Sequence, residues 1–248
     1  VSGLTLHGGL LASRRGGSAA VFDPATLSLS GWWRAAFSAV PWTGTASAGS
    51  SGSRDLATLG ADPSVGATLN GLAGADFATS KLTTSLAGTS LLTDAAFSFW
   101  FLVRADTVIA DPGPGLRWQA DGLFDDTGAT YVQCTLHAGG CTLSTTASGG
   151  SDELTTAFST GTPHLVQGSF DGTNLELQVD SAAKATMAAS MGPGATIDDL
   201  STNIRIGLTA YGNLDGRLWD IGFRQAAAND TDRANIRAYV NSRYALAL

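Results

Sequence analysis

Asp121, Asp125 and Asp126 lie close together in the chain, with Trp118 upstream and Tyr131 downstream. Two kinds of chemistry suit such a group. Carboxylates gathered from several loops can hold calcium, which takes roughly six to eight oxygen ligands. A flat aromatic face with Asp or Asn at its edge can instead hold a sugar ring. Trp42, beside the Ser/Gly-rich stretch 43–53, and Asn213, close to Asp215, add to the second reading; Asp198-Asp199 and Asn213/Asp215 add to the first. The candidate ligand set is therefore Trp42, Trp118, Asp121, Asp125, Asp126, Tyr131 and Asn213, and calcium is the one cofactor these acids could call for. No acid cluster has the spacing of an EF-hand loop, so solvated turn aspartates are the competing reading. Trp32, Trp33, Trp100 and Trp219 fall in strand patterns and are expected in the core.

Motifs for covalent and nucleotide chemistry are missing. The chain has no G-x-S-x-G elbow, no H-E-x-x-H and no phosphate-binding G-K-[ST] loop. Gly113–Gly115 and Gly192–Gly194 are Gly-Pro-Gly turns without dinucleotide spacing. His164, next to Leu165 and Val166, reads as a strand residue. Cys134 and Cys141 bracket Thr-Leu-His-Ala-Gly-Gly; a four-residue loop at 136–139 would set them face to face across a hairpin, where a disulfide is natural. The competing reading is two reduced thiols. A disulfide would suit an extracellular or virion surface.

The elements that must position these residues are strands. Of 21 acids only Glu153 and Glu176 are Glu, and Lys81 and Lys184 are the only lysines, so strong helix formers are scarce. Gly contributes 31 of 248 residues, supplying turns. A net charge of −7 with no arginine cluster excludes a nucleic-acid footprint. The most apolar stretch, residues 95–103, is far too short for a membrane-spanning helix. Residues 1–20 read as a Gly/Ser-rich arm without signal-peptide order, and residues 21–248 as one domain.

Leu27 to Trp33 alternates like a strand. Phe97, Phe99, Phe101 and Val103 share one face of another, while Trp100 and Leu102 share its opposite face; apolar on both sides, it should be central. His164–Phe170 and Leu175–Val179 read as a hairpin with Asp171-Gly172 at its tip. Ile204, Ile206 and Leu208 alternate, and Leu218 to Phe223 forms a further strand. Only residues 231–244 read as a helix, capped by Asp230 or Thr231 and burying Ile236 and Val240 against a sheet edge.

Several segments together resemble the laminin-G-like, concanavalin-like jelly-roll family of bacterial and phage proteins. The hairpin 169–180, S-F-D-G-T-N-L-E-L-Q-V-D, is similar to its F-D-G-x-x-L-x-L-Y-V-D-G. The aromatic strand 96–103, the D-G-R-L-W-D-I strand 215–221 and the closing helix resemble its later elements. Leu29–Arg34 with Trp42, Asp55-Leu56 and Asn70-Gly71…Asp76-Phe77 resembles its opening. The resemblance implies an all-β antiparallel sandwich with one short C-terminal helix. Glycoside hydrolases of this fold carry E-x-D-x-x-E on one strand, which this chain lacks. The expected role is thus non-catalytic surface recognition of carbohydrate, extracellular or on a virion. The alternatives are a structural virion or surface-layer protein docking on a neighbour through its arm, and a polysaccharide-degrading enzyme using Asp residues. A glycan or a neighbouring structural protein, and a second copy of the chain, are the partners this allows.

Overall fold

The computed structural model describes residues 22–46, 54–78, 80–87, 90–93, 95–114, 120–126, 132–147, 150–189, 203–207 and 212–248. The expected arm, residues 1–20, lies outside them. Fifteen strands among the described residues pair antiparallel into two sheets. Numbered in chain order, the eight-stranded sheet runs β13 (Ala185–Ala188), β12 (Asn174–Val179), β11 (His164–Phe170), β6 (Phe97–Thr107), β15 (Asp215–Arg224), β4 (Leu72–Phe77) and β3 (Ser64–Leu69). Its remaining strand, β1 (Gly31–Arg34), pairs with β15. The seven-stranded sheet runs β10 (Gly150–Thr156), β9 (Gly140–Ala147), β8 (Val132–His137), β7 (Asp121–Asp126), β14 (Asn203–Ile206), β5 (Leu82–Ala87) and β2 (Leu56–Thr58). The chain is thus a β-sandwich with one helix, α1 (Asp230–Tyr244), near its C-terminus.

Alternation within β6 divides the apolar residues between two cores. Phe97, Phe99, Phe101 and Val103 enter the space between the sheets, where Phe124 of β7 sits 4.8 Å from the Phe99 ring centroid, 5.6 Å from that of Phe101 and 5.4 Å from that of Phe223. Trp100 and Leu102 face the other way, into a second cluster with Trp32, Leu165, Trp219, Ile236, Tyr239, Val240 and Tyr244. Rings this large need small neighbours on the flanking strands. Gly168 lies opposite Phe99 and Gly222 opposite Trp100. A Cβ at either glycine would fall within 2.3 Å of the ring beside it, so no other residue fits there.

Helix α1 therefore covers the face of the eight-stranded sheet rather than an edge. The reason is the outward apolar set from β1, β6, β11 and β15, which gives Ile236 and Val240 a surface to bury. Its cap is Asn229, one residue before the expected position: the side chain accepts from Asp232 N–H, and Asp232 accepts from Asn229 N–H in return. Nor does Leu27 begin a strand. Asp23 accepts from Ala25 N–H and caps a 3-10 turn at Pro24–Leu27, and Ser28 takes a left-handed conformation, leaving β1 to start at Gly31.

Two polar anchors fix the helix. Fully buried Asp220 accepts four hydrogen bonds: from Trp32 Nε1 and Trp100 Nε1 at Oδ1 (both 2.9 Å), and from Tyr239 and Tyr244 hydroxyls at Oδ2 (3.0 and 2.9 Å). Burial pushes this carboxyl upward, while the four donors pull against that shift. Buried Arg233 donates to Ser169 Oγ (2.6 Å), Glu176 Oε2 (2.8 Å) and the Gln167 carbonyl (3.3 Å), and its own carbonyl accepts from Gln167 Nε2. Asp220→Ala strands two indole donors and the Tyr239 hydroxyl at once, while the Tyr244 hydroxyl can turn to the Trp219 carbonyl (3.1 Å). With each unsatisfied buried group costing about 1–3 kcal/mol, urea unfolding should show a loss of about 4 kcal/mol or more. A loss below about 1 kcal/mol would show that Asp220 does not hold the layers together.

Candidate polar binding face

The two-residue alternation that fills the core also sorts the other face of the seven-stranded sheet. On β8, Val132, Cys134 and Leu136 join the interior, so Gln133, Thr135 and His137 point outward. On β9 the same logic sends Thr142 and Ser144 outward, between Cys141 and Leu143. Strand register then lines these residues up. Thr83 of β5 lies opposite Arg205 of β14, Arg205 opposite Asp125 of β7, Asp125 opposite Gln133, Gln133 opposite Ser144, and Ser144 opposite Glu153 of β10. One polar row thus crosses six strands. At the usual strand spacing it runs about 24 Å.

The row combines a guanidinium, two carboxylates, an amide and two hydroxyls, with no aliphatic member. Its centre is closed and its flanks are open: Asp125, Gln133 and Ser144 are buried, while Thr83, Arg205 and Glu153 are half-exposed. A second row, Thr135, Thr142 and Thr155, runs beside it. Gln133 Nε2, Thr135 Oγ1 and Ser144 Oγ are buried without a hydrogen-bond partner. Unpaired buried polar atoms are costly, and Thr145 Oγ1, opposite Val132 on the inner face, is left in the same way. At the end of the second row, His137 Nδ1 accepts from Gly139 N–H. Its Nε2–H is then left to donate to Thr142 Oγ1 (2.8 Å), which meets Thr155 Oγ1 (2.7 Å).

The sequence-expected residues scatter over this frame. Asp125 is the one that falls in the row. Asp121 lies opposite Leu136, on the interior side, because a bulge between Gly122 and Phe124 shifts β7 by one residue. Asn213 is exposed, and Asp126 belongs to β7. Trp42 is corrected: it is buried against Phe37, and its Nε1 donates to the Arg34 carbonyl, so it presents no ring to a ligand. Trp118, Tyr131 and Asp198-Asp199 lie outside the described residues. Among the described residues no group of three or more His, Cys, Asp or Glu could hold a metal ion. Gln133, Ser144 and Arg205 went unread because their alternation with Cys134, Leu143 and Ile204 was the only signal for them.

The cysteine expectation is also corrected. The turn holds two residues, Ala138 and Gly139, so His137 pairs with Gly140 and Cys141 lies opposite Leu136. Cys134 is then a diagonal neighbour of Cys141, and both are free buried thiols with sulfurs 3.6 Å apart. Burial pushes the Cys134 thiol up.

At another end of the sandwich, His164 Nδ1 contacts Asp180 Oδ2 at 2.6 Å, while Nε2 faces Ser159 Oγ (2.9 Å) and Thr162 Oγ1 (3.1 Å). This cluster borders an open cavity of about 490 Å³ shared with Phe158 and Val179. The other carboxylate oxygen of Asp180 accepts from Leu165 N–H, so the His–Asp contact also closes the β11–β12 hairpin.

Asp121 carries a pH dependence. Burial, with Asp215 nearby and only the Ile109 N–H bond opposing, raises its carboxyl from the ordinary 3.8 to about 6. A raised acid is stable in its protonated form. Its contribution is therefore full below pH 4 and is lost as pH rises through about 6. Asp121→Asn keeps the acceptor for Ile109 and removes the titration. Its stability relative to the parent should rise by about 3 kcal/mol between pH 4 and pH 7 in urea melts. A difference that stays flat across that window contradicts the burial argument.

No family model matches the chain, and a search of curated proteins finds no match. Solved structures do share the fold. The Botulinum neurotoxin serotype G binding domain aligns at a TM-score of 0.60 with 10% identity, over 86% of this chain and 51% of that one. The binding domain of Botulinum neurotoxin DC, in complex with SialylT, aligns at 0.57 with 8% identity, over 89% and 52%. Trypanosoma rangeli sialidase aligns at 0.58 with 12% identity, over 87% and 33%. The chain thus spans about half of each toxin binding domain and a third of the sialidase, and at these identities the likeness is one of fold.

Proposed function

We propose that the chain is a carbohydrate-recognition module and that the six-strand row is its binding face. The observation that carries this reading is the row itself, six polar side chains in register across six strands. A saccharide brings hydroxyls that both donate and accept, which suits an alternation of guanidinium, carboxylate, amide and hydroxyl. Thr83 and Arg205 at one flank and Glu153 at the other are the half-exposed members that a saccharide would meet first, with Asp125, Gln133 and Ser144 buried between them. Among the proteins of similar fold, the Botulinum neurotoxin DC binding domain was solved with SialylT, which accords with a glycan partner at the level of architecture. An extracellular or virion-surface location goes with this role. Docking through residues 1–20 remains the alternative for a structural protein.

Carboxylate spacing supports recognition without hydrolysis. Asp125 on β7 and Glu153 on β10 are three strand spacings apart, about 14 Å along the sheet. Glycosidase pairs sit within about 5–10 Å. The experiment is a glycan array followed by affinity electrophoresis on polysaccharides, with Gln133→Ala and Arg205→Ala beside the parent. The parent should retain at least one polysaccharide without shortening it, and each variant should lose about tenfold in affinity. No binding to any glycan, or unchanged binding by both variants, would overturn the reading.

One observation favours a second reading. Ser159, His164 and Asp180 form a hydroxyl–imidazole–carboxylate chain with the distances of an activated nucleophile. Against it, Thr162 competes for the same imidazole nitrogen. A fluorophosphonate probe should leave Ser159 unlabelled if the cluster is a hairpin clasp; labelling that is lost in Ser159→Ala would establish a hydrolase instead.

A further inference from the structure

On the opposite side of the sandwich, where β1 meets the end of α1, two arginines border one pocket. Arg34 Cζ sits over the Trp32 indole, 4.2 Å from its centroid, and that indole is fixed by its bond to Asp220. Arg243, in the last turn of α1, is held by the Ala35 carbonyl (2.8 Å) and the Tyr244 hydroxyl (3.3 Å). Both border a pocket of about 300 Å³ with Trp32, Thr43 and Thr45. The rim is braced, since Trp32 and Thr45 exchange both backbone hydrogen bonds at 2.8 Å.

The chain has 21 acids against 14 Lys and Arg, and Arg104, Arg217, Arg224 and Arg233 each meet a carboxylate. Among the described residues Arg34 and Arg243, like Arg54, Arg205 and Arg237, form no ion pair with a carboxylate. Asp220 is fully buried, and four donors already occupy it. Arg243 Nε and Nη2 already donate to Tyr244 and Ala35, so the Arg34 fork, with the remaining Arg243 N–H groups and two threonines on the rim, matches a planar oxyanion.

We propose that this pocket binds the carboxylate of an acidic saccharide, a uronic-acid unit, at a site separate from the polar row. The saccharide part rests on the reading of the chain as a glycan binder; the oxyanion part rests on the two arginines alone.

The test is calorimetric titration of the full chain with digalacturonate, its neutral methyl ester and inorganic sulfate, using the parent, Arg34→Gln, Arg34→Lys and Gln133→Ala. The exposed Arg34 side chain makes no hydrogen bond that the fold needs, and a thermal melt of each variant confirms folding. Digalacturonate should bind the parent and lose tenfold or more with Arg34→Gln. Arg34→Lys should weaken it less. The methyl ester should bind at least tenfold more weakly than the acid. Absence of binding, or insensitivity to Arg34→Gln, would overturn the site. Sulfate binding as tightly as digalacturonate would overturn the saccharide assignment and leave a simple anion pocket. Loss of digalacturonate binding in Gln133→Ala, with Arg34→Gln unaffected, would place the acid on the polar row instead.

Discussion

A single buried carboxylate decides which face of this sandwich is available. Asp220 sits on β15, near the middle of the eight-stranded sheet, and collects donors from β1, β6 and two turns of α1. No one of those elements could satisfy it alone, so they must assemble around it together. The result is a helix laid over Trp100, Leu102, Leu165 and Trp219, with Arg233 fastening its other end to β11 and β12. The eight-stranded sheet is thereby apolar on both faces. The seven-stranded sheet carries apolar residues on its inner face and polar ones on its outer face.

That asymmetry gives the polar row its meaning. The row arises from the same alternation that builds the core: each inward Phe124, Cys134, Leu143 or Ile204 sends a neighbour outward. Its members are distant in the chain. Thr83, Asp125 and Arg205 become neighbours only because β14 is inserted between β5 and β7. A face assembled in this way is stiff, being held by ladders on both sides of every strand except at its edges. Stiffness favours a binding role, because little conformational freedom is left to lose when a ligand settles.

Much of the fold was legible in the sequence where a periodic pattern met one strong requirement. The β6 pattern named its two faces residue by residue, the Asp171-Gly172 tip marked its hairpin, and the isolated helical stretch near the C-terminus was placed within a residue. The helix's seat was not legible, because nothing local distinguishes a sheet face from a sheet edge. The binding face was read poorly for a different reason. Acids and tryptophans drew attention by their type, yet Trp42 is packed away and a β-bulge turns Asp121 to the interior. Gln133 and Ser144 are unremarkable residue types, and register with distant strands gives them their place. The cysteine pair failed by two residues of turn length, which moved Cys141 from opposite Cys134 to a diagonal position.

The most direct test of the account is amide chemical-shift mapping of the isotope-labelled chain with a neutral oligosaccharide drawn from whichever polysaccharide it retains. The largest shifts should fall on β5, β14 and β10 around Thr83, Arg205 and Glu153 and extend to the buried Gln133 and Ser144 between them, with α1 unmoved. Shifts confined to α1 and β1, or to the cavity beside His164, would contradict the claim that the outer face of the seven-stranded sheet is where this protein meets its ligand.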